Sequence, residues 1–263
     1  MLKVFGLPVI AGTQAVTFFY ILLRISGALL ISPIFGRKNI PVIMRIGFCL
    51  VLSVMLILIL PESAYAPERD TITFFINGIK EMLFGIIMGF VCVMALNIAV
   101  SAGQIIDMQI GFGLSNFFDA QLGTQVAITG NFLNMLMLLA FFIAGGHHRF
   151  IETVYGSFIR INPGRVVIGY EVLKTLFSVF VWTMVMIVQV AIPVMSVIII
   201  TEFALGIIMK AVPHMNFFVI GISLKIFIGL LILILFISAF IFYSNGIFDR
   251  MFAHLAKILN GVW

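Results

Sequence analysis

Charged side chains interrupt otherwise apolar stretches of this sequence, among them Arg24, Lys80, Glu81, Glu202 and Lys225. Facing lipid at a helix centre, each would cost ~2.5–3.5 kcal/mol, so each is expected to face a neighbouring helix, water or a polar cavity. Charges so placed can bind an ion, relay a proton or tie helices together. Lys80 and Glu81 are adjacent and read as a structural ion pair rather than a proton relay. His147 and His148 are also adjacent. On a helix that spacing turns the rings apart, so a turn or interfacial role suits them better than a metal site. Cys49 and Cys92 lie far apart in apolar runs and read as small buried hydrophobes. Gly111-Phe112-Gly113 lacks the third glycine of a dinucleotide fingerprint, and P-loop, HExxH and GxSxG patterns are absent from the sequence. The sequence therefore reads as non-enzymatic, with no cofactor and no metal site.

The elements that must hold these charges are apolar. Of the 263 residues 63% are hydrophobic and 10% charged, where soluble domains run near ~45–50% and ~25%. That composition calls for a bilayer or for burial in a large assembly. The 15 Lys and Arg are scattered among apolar runs rather than gathered on one face, which excludes a nucleic-acid partner. Six stretches approach the ~20 apolar residues a spanning helix needs: 7–31, 42–60, 72–100, 126–144, 175–201 and 217–243. The fifth is expected to bend at Pro193. The first lacks the layout of a cleavable signal and is expected to remain in the mature chain. Two stretches are amphipathic. Ile151, Val154, Tyr155, Phe158 and Ile159 form one helical stripe, with Arg149, Glu152, Thr153 and Arg160 opposite. After Ser244-Asn245-Gly246, Phe248, Met251, Phe252, Leu255, Ile258 and Leu259 form another. Either can lie on a membrane surface, dock on a partner or pack on its own protein.

Topology does not close if all six segments cross. Arg37, Lys38 and Arg45 put 32–45 on the cytoplasmic side. Arg149, Arg160, Arg165 and Lys174 ask the same of 145–174, yet two crossings of the middle segments return it outside. Either one of the middle segments fails to cross or the rule fails; the expectation is an all-α protein of helical hairpins buried in an assembly, some not crossing the bilayer. Gly85 and Gly89 make a GxxxG element suited to close helix packing. Between two apolar segments, 101–125 is rich in Gly, Gln, Asn and Asp and has no Lys or Arg. Non-helical backbone at membrane depth survives where protein buries it or a water-filled cavity borders it. Two readings fit: a loop that lines or blocks a pore, with Gly111 and Gly113 as flexible points, or a structured turn at the membrane surface.

Taken in order, the motifs resemble the FliR/SctT family of type III secretion export-gate proteins along nearly the whole chain. The N-terminal match is Arg24-x-Ser26-Gly27, then Pro33-Ile34-Phe35-Gly36-Arg37-x-x-Ile40-Pro41-x-x-x-Arg45. The central match is Ala102-Gly103 to Gly113, Gly145-Gly146-His147-His148, and Ser157-Phe158 before Pro163. The C-terminal match is Glu202, Leu205-Gly206, Pro213-x-x-Asn216-x-Phe218-x-x-Gly221 and Lys225. The Gly-Gly-His-His element resembles the flagellar branch. The family often has Arg, Gln and Pro where this chain has Lys210, His214 and Ser223, and Pro where it has Ala120. Lys210 cannot fork as Arg does.

The resemblance implies one export-gate domain over 1–263: FliP-like helices to about residue 175, then a FliQ-like hairpin and a C-terminal amphipathic helix over 176–263. It implies long bent helices only partly in the bilayer. It implies a channel plug over about 104–125, including Gln104, Asp107, Gln109, Gly111, Phe112, Gly113, Asn116, Phe117, Phe118 and Asp119. The implied partners are FliP and FliQ in a hetero-oligomeric gate, with FlhB and FlhA, membrane lipid, and unfolded flagellar subunits as cargo. The implied place is the bacterial inner membrane at the flagellar basal body. An injectisome subunit of the same family is the alternative. From other classes, the rivals are a structural scaffold and a small-solute or ion transporter using the intramembrane charges.

Overall fold

The computed structural model of the chain describes residues 12–33, 35–36, 40–61, 70–112, 127–211 and 217–261. Among them the regular elements are helices: α1 (Gly12–Ile31), α2 (Val42–Ile59), α3 (Thr71–Ile110), α4 (Ile128–Ile143), α5 (Gly146–Arg160), α6 (Tyr170–Ala211) and α7 (Phe217–Asn260). The fold is all-α, as expected from the apolar segments. Among the described residues, five helices are long and apolar enough to cross a membrane, or six spans form if α4 and α5 act as one broken span. The chain is a membrane protein.

Helix ends follow local chemistry. Pro41 precedes α2, its carbonyl taking the N–H groups of Met44 and Arg45, and Pro61 follows its last turn. Asp70 starts α3, accepting from the Thr73 hydroxyl at 3.0 Å. Gly145 breaks the chain between α4 and α5 with φ +67, a left-handed angle that glycine adopts freely.

Three helices run further than the sequence suggests. α3 has 40 residues, α6 has 42 and α7 has 44, each about 60 Å or more at ~1.5 Å per residue. That is about twice the ~30 Å hydrocarbon core. α3 absorbs Ser101 to Ile110, so this first part of the expected polar loop is helical. α6 continues uninterrupted through Pro193. α7 continues through Ser244-Asn245-Gly246, where a break was expected. The Ser244 hydroxyl donates back to the Ile241 carbonyl at 2.7 Å, which satisfies it without interrupting the helix.

By contrast α4 has 16 residues, about 24 Å. It is the segment too short to cross alone. With α4 and α5 left uncrossed, the basic stretches 32–45 and 145–174 fall on the same side; with the two as one broken span, they do not.

Two compact units emerge: Met1–Val93 with Gly146–Val179 and Arg250–Trp263, and Met94–Gly145 with Phe180–Asp249. In the first, α1 and α3 cross at glycines. A Cβ on Gly27 would lie 2.6 Å from the Met82 carbonyl oxygen, and one on Gly89 would lie 2.6 Å from that of Ala28. Tyr20 stacks on Phe74 at 5.5 Å. The end of α7 packs on this unit by Met251, Leu255 and Ile258, all fully buried. Arg149 of α5 covers the Phe252 ring at 4.3 Å, and Arg160 donates to Asn260 at 2.5 Å. The second expected amphipathic stripe is thus a core face. The first is rotated: α5 buries Phe150, Val154, Ser157 and Phe158, while Ile159 is exposed. The second unit joins α3 to α4 at Gly103 and Gly130, whose backbones touch. Phe141 meets Phe248 edge-on at 5.2 Å.

Candidate functional site

Among the described residues, three polar clusters interrupt this apolar architecture, and each contains residues singled out by the sequence. The first centres on Arg24, the largest fully buried side chain among the described residues. Its Nε donates to Glu81 Oε2 at 2.6 Å and its Nη2 to Oε1 at 3.0 Å. Nη1 donates to the Ser157 carbonyl at 3.0 Å and hydroxyl at 3.1 Å, and both Nη atoms reach the Ile161 carbonyl at 3.3 Å. Glu81 Oε1 also accepts the Gly164 N–H at 2.7 Å, where the chain turns at φ +82. The guanidinium lies 4.2 Å from the Phe158 ring centroid and 5.4 Å from that of Phe84. Charge, hydrogen bonds and aromatic faces therefore meet the cation from every element around it, which is what a buried ion pair needs to be tolerated.

This corrects the pairing read from sequence. Glu81 bonds to Arg24 of α1, and its neighbour Lys80 is half-buried outside the cluster. Consecutive helical residues point to different sides, so i,i+1 charges do not face each other. Gly85 and Gly89 approach the α1 backbone around Arg24 and Ala28. Ser157, Phe158 and Gly164 complete the cluster. Their signal in sequence was weak, although Ser157-Phe158 stood in the central motif.

The second cluster closes the C-terminal end of α3. Asp107, buried, accepts the Thr129 N–H with both carboxylate oxygens at 3.1 Å. The N-cap residue of α4, Ala127, has no side-chain acceptor, so Asp107 caps α4 from another helix. Gly111 follows at φ +105 with its N–H on the Asp107 carbonyl at 3.1 Å, ending α3. Gln104 is exposed and Gln109 half-buried. Gly113, Asn116, Phe117, Phe118 and Asp119 lie outside the described residues.

The third cluster joins α6 and α7. Glu202 pairs with Lys225, and Gln109 Nε2 of α3 lies 3.5 Å from the second Glu202 oxygen. Lys210 is exposed beside a recess shared with Glu202, Phe203 and Ile207. A Cβ added at Gly221 would lie an ordinary 3.8 Å from the Leu205 side chain. Pro213 and Asn216 lie outside the described residues.

Of the remaining motif positions, Pro33 and Gly36 form the turn after α1, and Gly36 donates its N–H to the Ser32 carbonyl at 2.7 Å. Pro41 precedes α2. Arg45 reaches the Gly36 carbonyl at 3.4 Å. His147 and His148 were expected to point apart. Instead their ring centroids lie 4.1 Å apart, tilted by 41°. They occupy the first turn of α5 beside Gly145. Among the described residues, nothing groups three metal-ligating side chains.

These clusters hold helices together and offer no nucleophile with an adjacent base. Residues 15–251 match the family described as bacterial export proteins, family 1. The chain belongs to that family. Similar members include the flagellar biosynthetic protein FliR of Bacillus subtilis, 29% identical over 251 residues, covering 92% of this chain and 94% of the relative. The FliR of Escherichia coli is 23% identical and covers 92% of each chain. The Yop proteins translocation protein T of Yersinia pestis is 23% identical over 84% of this family member and 85% of the relative.

Proposed function

We propose that this export-family member is a non-enzymatic subunit of the flagellar type III secretion export gate in the bacterial inner membrane, at the flagellar basal body. The observation that carries this reading is the near-full-length similarity to FliR proteins, 29% identical in Bacillus subtilis. The flagellar reading is favoured over an injectisome one by Gly145-Gly146-His147-His148. In this reading the chain joins FliP and FliQ in a hetero-oligomeric gate, with FlhB and FlhA beside it. Unfolded flagellar subunits are the cargo.

The gating element is the segment from Gln104 to Gln125. Gln104 to Ile110 is its helical base, and the remainder is the channel plug. The fixed base favours this division: Asp107 ties α3 to α4, so displacement of the plug need not unwind α3. The FliP-like and FliQ-like division near residue 175 belongs to the same proposal.

Two measurements test it. Affinity purification of the tagged full chain from membranes should bring down FliP and FliQ at fixed stoichiometry. A chain that purifies alone and transports a small solute would overturn the gate. Deleting 113–119, which spares the Asp107 tether, should leave the complex assembled and make cells leak ions. A tight membrane with an assembled complex would remove the plug while leaving the subunit assignment intact.

A further inference from the structure

We infer that the first unit carries a binding site for an anionic phospholipid, between α1, the turn residues Pro33, Phe35 and Gly36, and the N-terminal half of α2. The site is a cavity of about 470 Å³, within the ~300–1,000 Å³ typical of small-ligand pockets. Its walls are almost wholly apolar. Leu29 and Leu30 of α1, Phe35 of the turn, and Met44, Phe48 and Val51 of α2 line it. Phe35 and Phe48 stack at 5.4 Å and 22° to form one side.

Among the described residues, one charged group borders this apolar space. Arg45 lines the cavity from the first turn of α2. Its Nε is buried and has no hydrogen-bond partner among the described residues, while its Nη1 makes one long bond of 3.4 Å to the Gly36 carbonyl. A buried guanidinium N–H left unmade is costly and calls for an acceptor. Arg24 is the contrast within the same unit, with all three nitrogens bonded. A phosphodiester supplies what Arg45 lacks, since its oxygens match the guanidinium fork.

The surroundings select a lipid over a free anion. Only 17% of the α2 span is buried, against 56% of α3, so the cavity opens on an apolar helix face. Arg45 lies in the stretch that the positive-inside rule puts at the cytoplasmic face. There basic pockets between helices take anionic headgroups. The assignment is therefore one acyl chain against Leu29, Phe35, Phe48 and Val51, with its phosphate on Arg45. Inorganic phosphate would leave the apolar walls unused.

Gly47 allows the cavity and the charge to be tested separately. It lines the cavity, and a Cβ added there meets nothing within 4 Å. Gly47→Leu should fill the space without touching Arg45, and it replaces a poor helix former by a good one. The full chain, in whatever assembly it leaves the membrane, is purified in mild detergent, and lipid retention is read by native mass spectrometry. Wild type should retain one phosphatidylglycerol per chain, about tenfold in preference to phosphatidylcholine, and inorganic phosphate should not compete. Arg45→Gln should abolish the headgroup preference, Arg45→Lys should keep part of it, and Gly47→Leu should remove retention altogether. Should Arg45→Gln fail to accumulate, Gly47→Leu still decides. No retained lipid, retention unchanged in Gly47→Leu, competition by phosphate, or a protein neighbour found covering the cavity would each overturn the site.

Discussion

The Arg24 guanidinium and the Glu81 carboxylate, 57 residues apart in sequence, meet in a two-point fork with neither side chain exposed. The fork joins α1 to α3, and the bonds from Arg24 to Ser157 and Ile161 and from Gly164 to Glu81 bring in α5 and the turn after it. Removing one partner strands a buried charge, at a cost of about 3–5 kcal/mol. Arg24→Ala and Glu81→Ala should each sharply lower accumulation in membranes and the unfolding temperature in detergent. Arg24→Met with Glu81→Leu should cost less than the two singles summed, a coupling that a double-mutant cycle reads directly. Arg24→Lys should not rescue, because an ammonium cannot fork. Additive single effects would show that the pair does not act as a unit.

Glycines sort by what surrounds them. At Gly27 a Cβ would meet the backbone of Met82 and Ile86 at 2.6 and 2.9 Å, which only movement of a helix can relieve. Gly27→Ala should therefore destabilise by about 1–3 kcal/mol, as overpacking does. At Gly156 the same Cβ meets nothing within 4 Å. Gly156→Ala should be neutral or stabilise by about 0.5–1 kcal/mol through helix propensity. Thermal unfolding of the two variants side by side checks the contrast. Equal effects would remove the case for a glycine-mediated crossing.

The crossing at Gly85 and Gly89 was legible because small-residue spacing encodes close approach directly. The six apolar segments were legible for a similar reason: each is long enough to name itself. The partner of Glu81 was not legible, since Lys80 beside it offers a charge in sequence that helical geometry turns elsewhere. The continuation of α3 through Gly103, Gln104 and Asp107 was hidden too. Those residues read as loop formers until the contact of Gly103 with Gly130 and the bond of Asp107 to Thr129 are known. Such tertiary partners outweigh intrinsic propensities of under about 1 kcal/mol per residue. The face of α5 slipped for a subtler cause. Ile151 and Ile159 fit an apolar stripe, but Ser157 belongs to the core because Arg24 needs its oxygens.

Glu202 and Lys225 form the weaker pair. Their side chains are 40% and 23% exposed, so the charges keep much of their contact with the surroundings. Glu202→Gln should cost about 1 kcal/mol or less in stability, far below the effect at Glu81. Exchanging the charges, Glu202→Lys with Lys225→Glu, should restore most of what either reversal alone loses. Melting temperatures of the four proteins in one detergent decide this. A loss at Glu202 as large as that at Glu81 would mean that Glu202 has a further cationic neighbour in the assembly.

Asp107 performs for α4 what an N-cap side chain performs within a helix. Ala127 cannot accept a hydrogen bond by its side chain, and the first turn of α4 would otherwise leave the Thr129 N–H unmet. Asp107→Ala should cost about 1–2 kcal/mol, the range of a lost cap with some added desolvation. Asp107→Asn should cost less, since an amide oxygen still accepts, although without the charge that favours a helix N-terminus. The loss should be local. Hydrogen–deuterium exchange should quicken at 128–131 in Asp107→Ala while the buried middle of α3 around Phe84 and Met88 keeps its protection. Faster exchange spread evenly along α3 would instead make Asp107 a general core residue. That outcome would separate it from the base of the proposed plug, because a tether acting only at the end of α3 cannot loosen the far end of a 40-residue helix.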